Sequence, residues 1–189
     1  MPRRNRTDLI MAPSPINWTS WQGEMLATLM FIVRDGHVLL IEKKRGLGAG
    51  KINGPGGKIE PGETPLQAVI RETQEELCIT PHAPLKLGEL WFAMSDHPHI
   101  LCHVFRSENF SGTPTETAEA VPLWSALDAI PYQRMWEDDR HWLPLLLEKT
   151  PFLGRFVFAG ERMVWSQIRA GSFAANPESR TCHSARASV

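Results

Sequence analysis

From Gly57 to Glu76 the chain follows the pattern G-x5-E-x7-R-E-x2-E-E, placing Glu63, Arg71, Glu72, Glu75 and Glu76 in one short stretch. Four carboxylates this close repel one another unless something positive sits among them. Hard oxygen donors suit a divalent cation, Mg2+ above all, because Mg2+ keeps some of its waters and binds phosphate oxygens. Mn2+ is a possible substitute. Directly upstream, KKRGLGAGKINGPGG at 43–57 is basic and glycine-rich, so backbone and cations can approach phosphates closely. Together these residues point to metal-assisted chemistry on a polyphosphate. The plainer alternative is a solvated, salt-bridged helix face.

The acids need a rigid carrier, and the local sequence supplies one. Thr64 can cap a helix with Pro65 at its first position and Gln67 completing a capping box. At 3.6 residues per turn, Leu66, Val69, Ile70, Thr73 and Leu77 make one buried stripe. Glu72, Glu75 and Glu76 then share a neighbouring face, and Arg71 can pair with Glu75 four residues on.

Around this helix, Glu24–Val33 and His37–Ile41 read as strands joined by an Arg-Asp-Gly turn. Leu85–Met94 and Ile100–Phe110 form a second pair about SDHPH, and residues 112–122 read as a loop. A strand or helix start follows near Leu123–Ile130. A second helix runs from Asp138 or Asp139 to Lys149, with Pro144 limiting its first part. Phe152–Phe158 and Arg162–Gln167 make a late hairpin. Helices alternating with strand pairs predict an α+β chain, its sheet clamped between two helices as an α/β/α sandwich. Residues 1–20 read as a flexible leader, 21–170 as one domain and 171–189 as a disordered tail.

Composition narrows the partners. A net charge of −1 over 189 residues gives no electrostatic case for gripping nucleic acid polymers or anionic membranes. A small ligand is expected instead. No apolar run has the length of a bilayer span. Three scattered cysteines, Cys78, Cys102 and Cys182, fit reduced thiols in a cytoplasm. His97, His99 and His103 match no metal-ligand spacing.

A phosphate site does not choose a base. Asn53, Trp91, Phe92, Trp136 and the adjacent pair Asp138–Asp139 are candidates for that task. Aromatic rings stack on purines, and amides or carboxyls can meet a base edge with two hydrogen bonds. Two neighbouring acids in a buried pocket do not both ionise cheaply, so one can stay protonated and donate. Trp136 as plain core, and the acids as first-turn residues stabilised by a helix dipole, are the simpler readings.

The stretch 57–79 resembles the Nudix box of the Nudix hydrolases. Thr73 stands where that family usually has an aliphatic residue, and Cys78 where it usually has glycine. Across residues 26–168, Lys43–Gly50, Asn53–Gly54 and the segment from Gly112 through MWEDDRHWLPLLLEK to Gly160 resemble the animal-type oxidised purine nucleoside triphosphate hydrolases. The resemblance implies a Nudix sandwich with a central mixed β-sheet, and a monomer is expected. It also implies Mg2+-dependent diphosphatase activity on nucleotides such as 8-oxo-dGTP and 2-hydroxy-dATP, sanitising the nucleotide pool.

Carried over residue by residue, it implies that the Gly56 carbonyl, Glu72, Glu75, Glu76 and Glu119 bind metal. Glu76 or Glu75 activates water, and Arg71 orients a glutamate. Asn53, Asp138 and Asp139 contact the base and Trp136 stacks on it, while Thr28, Lys43 and Phe92 line the pocket. Leu47 and Pro55, aromatic in the animal enzymes, and Ala120, a methionine there, bear on which oxidised purine is preferred. A Nudix pyrophosphatase for ADP-ribose or a dinucleotide, and a non-catalytic nucleotide sensor, are the rival expectations.

Overall fold

The computed structural model describes residues 13–171. The tail expected over 171–189, Gly171 apart, lies outside the described residues, as do Cys182 and residues 1–12 of the leader.

Strands β1 (Met25–Arg34) and β2 (His37–Lys43) form the expected hairpin, and the short β3 (Ile52–Asn53) extends it. Helix α1 (Pro65–Leu77) follows. β5 (Leu85–Met94) and β6 (Ile100–Ser107) pair antiparallel, as do β9 (Phe152–Ala159) and β10 (Arg162–Ala170). β8 (Ala120–Ala126) lies along β2. The main sheet runs β10-β9-β5-β6-β1-β2-β3, with β8 joined to β2. It is mixed, because β1 runs parallel to β6 and β5 parallel to β9.

Side chains on a strand alternate between faces, and β1 uses both. Met30 and Ile32 face α1, clustering with Val69 and Leu77. Phe31 and Val33 face helix α2 (Asp139–Leu147), clustering with Trp142, Leu143 and Leu146. One helix therefore covers each face, giving the α/β/α sandwich.

Helix α1 begins as its sequence predicts. The Thr64 side chain accepts from the Gln67 N–H, and the Gln67 side chain accepts from the Thr64 N–H at 2.8 Å. The stripe holds at Val69, Thr73 and Leu77, all fully buried. Leu66, in the first turn, is a correction: it is 43% exposed. Thr73 resolves its unusual hydroxyl by donating to the Val69 carbonyl at 2.6 Å.

Cys78 ends the helix with φ 59° and ψ 29°, and its N–H donates to the Gln74 carbonyl. That left-handed conformation suits glycine and costs other L-residues roughly 1–2 kcal/mol. Cys78→Gly is therefore expected to stabilise the fold by about 1 kcal/mol, net of the chain entropy glycine adds. Chemical denaturation would report a raised midpoint with an unchanged slope; a lowered midpoint would contradict the assignment.

Several sequence expectations need correction. The strand expected over Ile100–Phe110 breaks after Ser107, and β7 (Asn109–Gly112) pairs instead with β4 (Ile79–His82) in a separate small sheet. The loop expected over 112–122 already contains the start of β8. Pro144 does not limit α2, which runs through it to Leu147. Buried Arg106 fixes that end by donating to the Leu146 and Leu147 carbonyls.

The leader also departs from expectation over 13–20. Ile16 and Trp18, with Trp21, pack against Ala93, Val157 and Trp165 on a face of the sheet left bare by α1. Trp18 stacks on Trp165 at 5.8 Å and Trp21 on Trp91 at 5.0 Å.

Candidate active site

Helix α1 presents its acids to the glycine loop. Glu76, only 1% exposed, accepts from the Gly56 N–H at 2.7 Å and lies 3.6 Å from the Lys43 ammonium. Burial, partly offset by Lys43 and the Gly56 N–H, pushes its pKa up to about 7. Glu72 is also raised, chiefly by burial. A Cβ at Gly57 would stand 2.5 Å from the Glu72 carboxyl, so only glycine lets backbone and acid approach this closely.

Arg71 does more than meet Glu75. Its Nε and Nη2 clasp Glu63 at 2.7 and 2.9 Å, Nη1 donates to Glu72 and Glu75 at 2.8 and 3.0 Å, and Nη2 reaches the Lys58 carbonyl. The Arg71 hydrogen bond holds Glu63 down at about 2. One guanidinium thus binds the loop to the helix and orients two acids of the ridge. Glu119 arrives on the strand register that sets Ala120 opposite Lys43. Its carbonyl accepts from the Lys44 N–H, and its carboxylate contacts Arg45.

Among the described residues, no three His, Cys, Asp or Glu side chains already converge as ion ligands. Arg71 and Lys43 instead lie among the carboxylates. The donor set still fits a hard divalent cation: acid oxygens on one ridge, beside a loop whose glycines permit close backbone approach.

The second half of the site is a cavity of about 270 Å³. All seven residues assigned to the base line it: Thr28, Lys43, Asn53, Phe92, Trp136, Asp138 and Asp139. Leu47 borders it as well. Asp138 and Asp139 are each only 2% exposed. Trp142 donates its Nε1–H to Asp138 at 2.9 Å, and the Trp136 backbone N–H donates to Asp139 at 3.1 Å. Burial, moderated by the Trp142 hydrogen bond, pushes Asp138 up to about 6. Asp139 is raised well above the carboxylate range by burial and then by the charge of Asp138.

Trp91 is a correction. It points to the opposite face from Phe92, stacking on Trp21 with the Arg155 guanidinium 4.7 Å from its ring. The sequence reading missed Trp142, although its four-residue spacing from Asp138 on a helix signals the contact. It also missed Met94 and Cys102, which line the cavity from β5 and β6 and carry no local signal.

Lys43, Gly56 and Gly57 border the cavity and also touch or crowd the acidic ridge, so the two halves form one continuous site. The fold, the box and this site define a hydrolase class, and the NUDIX domain model matches residues 23–146. The chain belongs to the Nudix hydrolase family, whose members use divalent cations and act on small nucleotide substrates.

Within the family it is similar to particular enzymes. It is 44% identical to the oxidized purine nucleoside triphosphate hydrolase of Danio rerio over 140 residues, 74% of this chain and 90% of that protein. It is 40% identical to the Mus musculus protein of that name, over 75% of this chain and 91% of the other. The crystal structure of a mutator MutT protein from Bacillus halodurans superposes with a TM-score of 0.69 at 24% identity, covering 76% of this chain and 97% of that one, and supports the fold. Among the described residues, no helix is long and apolar enough to cross a membrane.

Proposed function

We propose that this chain hydrolyses oxidised purine (deoxy)nucleoside triphosphates, such as 8-oxo-dGTP and 2-hydroxy-dATP, to the monophosphate and pyrophosphate. It would thereby clear damaged precursors before they cause mutation. The observation carrying this reading is the pair of buried, adjacent aspartates beside Asn53 and Trp136, in a cavity continuous with an acidic helix ridge. An acid that keeps its proton can donate to a base oxygen while its neighbour accepts. The similarity to the zebrafish and mouse enzymes supports the same substrate class.

In this reading Glu72, Glu75, Glu76, the Gly56 carbonyl and Glu119 hold Mg2+, with Mn2+ as a substitute. When bound, the cation neutralises charge on the phosphates. Glu76 or Glu75 would take the proton from the attacking water. Arg71 keeps Glu72 and Glu75 aimed. Asn53, Asp138 and Asp139 read the base edge, Trp136 stacks on its face, and Thr28, Lys43 and Phe92 complete the wall. The enzyme acts as a cytoplasmic monomer through one catalytic domain over 21–170.

The test is a substrate panel with Mg2+. The value of kcat/KM for 8-oxo-dGTP should exceed that for dGTP by about tenfold or more, with ADP-ribose turned over least. The products should be 8-oxo-dGMP and pyrophosphate. Preference for ADP-ribose, or release of orthophosphate from the triphosphate, would reject the proposal.

A further inference from the structure

Trp136 lines the cavity, and several groups pack against its ring. The Lys51 ammonium lies 4.8 Å from the Trp136 ring centroid. Lys51 does not itself line the cavity. The same ammonium is 3.0 Å from the Glu161 carboxylate, in the turn between β9 and β10. Phe158 meets the indole edge-on at 5.8 Å and 89°. A Cβ at Gly48 would stand 3.0 Å from the indole nitrogen, so the glycine loop also presses on the ring.

A cation over an indole face is attracted by the ring quadrupole, more strongly when partly desolvated. The Lys51 side chain is 24% exposed, whereas Glu161 is 74% exposed. An ion pair so open to water adds little stability, but it can aim the ammonium. The ammonium, Phe158 and the glycine loop together limit rotation of the Trp136 ring.

We infer that Lys51, aimed by Glu161, is a positioning residue for base recognition. It holds Trp136 in its stacking pose and ties the loop carrying Leu47 to the β9–β10 hairpin. The inference rests on the reading that Trp136 stacks on the base. Lys51 acts through the ring: its ammonium meets Glu161 and the indole, away from the carboxylates of the acidic ridge.

The test is a kinetic cycle on the full chain with 8-oxo-dGTP and Mg2+, using Lys51→Met, Lys51→Arg, Trp136→Ala and the Lys51→Met/Trp136→Ala double variant. Thermal melts check that each variant is folded. Lys51→Met should raise KM about three- to tenfold with kcat held within about twofold, the scale of a partly buried cation–π contact. Lys51→Arg should restore most of the affinity, since arginine keeps the charge and stacks. In the Trp136→Ala background, Lys51→Met should have no further effect. If Trp136→Ala raises KM and Lys51→Met does not, the inference is overturned while base stacking stands. If the effect of Lys51→Met persists without the indole, Lys51 meets the substrate directly and the inference is equally overturned. If Trp136→Ala leaves KM unchanged, the stacking reading itself fails and this inference falls with it.

Discussion

Replacing Glu76 by glutamine should lower kcat by about 10²- to 10⁴-fold while binding of the oxidised base changes little. The side chain is almost completely buried, so a neutral isostere fits its environment without desolvation strain. The Gly56 N–H still finds an amide oxygen to donate to. What disappears is a carboxylate that can accept a proton from water, together with one anionic donor on the ridge. Lys43 loses its ion-pair partner, while Asn53, Trp136, Asp138 and Asp139 lie on other elements and keep their contacts. Single-turnover kinetics beside equilibrium binding of 8-oxo-dGMP would separate the two effects. Wild-type turnover in a variant shown to be folded would sink the assignment of Glu76.

Replacing Asp139 by asparagine should lower kcat/KM for 8-oxo-dGTP about 10- to 100-fold, mainly through KM, as expected when a buried polar pairing is broken. Asparagine fills the same volume and can still accept from the Trp136 N–H. It cannot share a proton with Asp138. Loss of the Asp138 proton near 6 leaves a donor beside an acceptor, so wild-type KM should rise only at the higher pH where Asp139 gives up its own proton. The variant should show a flatter profile. The sign for stability follows from the same shifts. Both folded-state values lie above the unfolded ones, so their contribution is fully present below the unfolded carboxylate value and is lost as pH rises, through about 6 for Asp138 and higher for Asp139. Melting temperatures of wild type relative to Asp139→Asn should accordingly fall on going from pH 5 to pH 8. Identical KM and identical pH profiles would refute the role given to the pair.

The catalytic helix was readable because its signals are local. A capping box, a period of 3.6 and four clustered acids all lie within one short window, and each agrees with the others. What was not local was misread. The link from Arg71 to Glu63 spans eight residues across a helix cap, and spacing within the helix suggested only Glu75. The pairing of β4 with β7 joins Pro81 to Phe110, and neither segment alternates clearly enough to declare itself. Adjacent Trp91 and Phe92 must face opposite ways, but nothing in β5 alone says which side holds the cavity. A proline-bearing leader looked featureless because its tryptophans find partners only on strands distant in sequence.

That last arrangement bears on how the molecule is made. Trp18, near the beginning of the described residues, stacks on Trp165 in β10, the last strand among them, which forms the far edge of the sheet. β5 likewise waits for its parallel neighbour β9. A nascent polypeptide leaving the ribosome therefore carries an unfinished sheet and uncovered indoles until β9 and β10 have emerged. Such distant closures slow folding and lengthen exposure to aggregation. Completion of the sheet should therefore be largely post-translational.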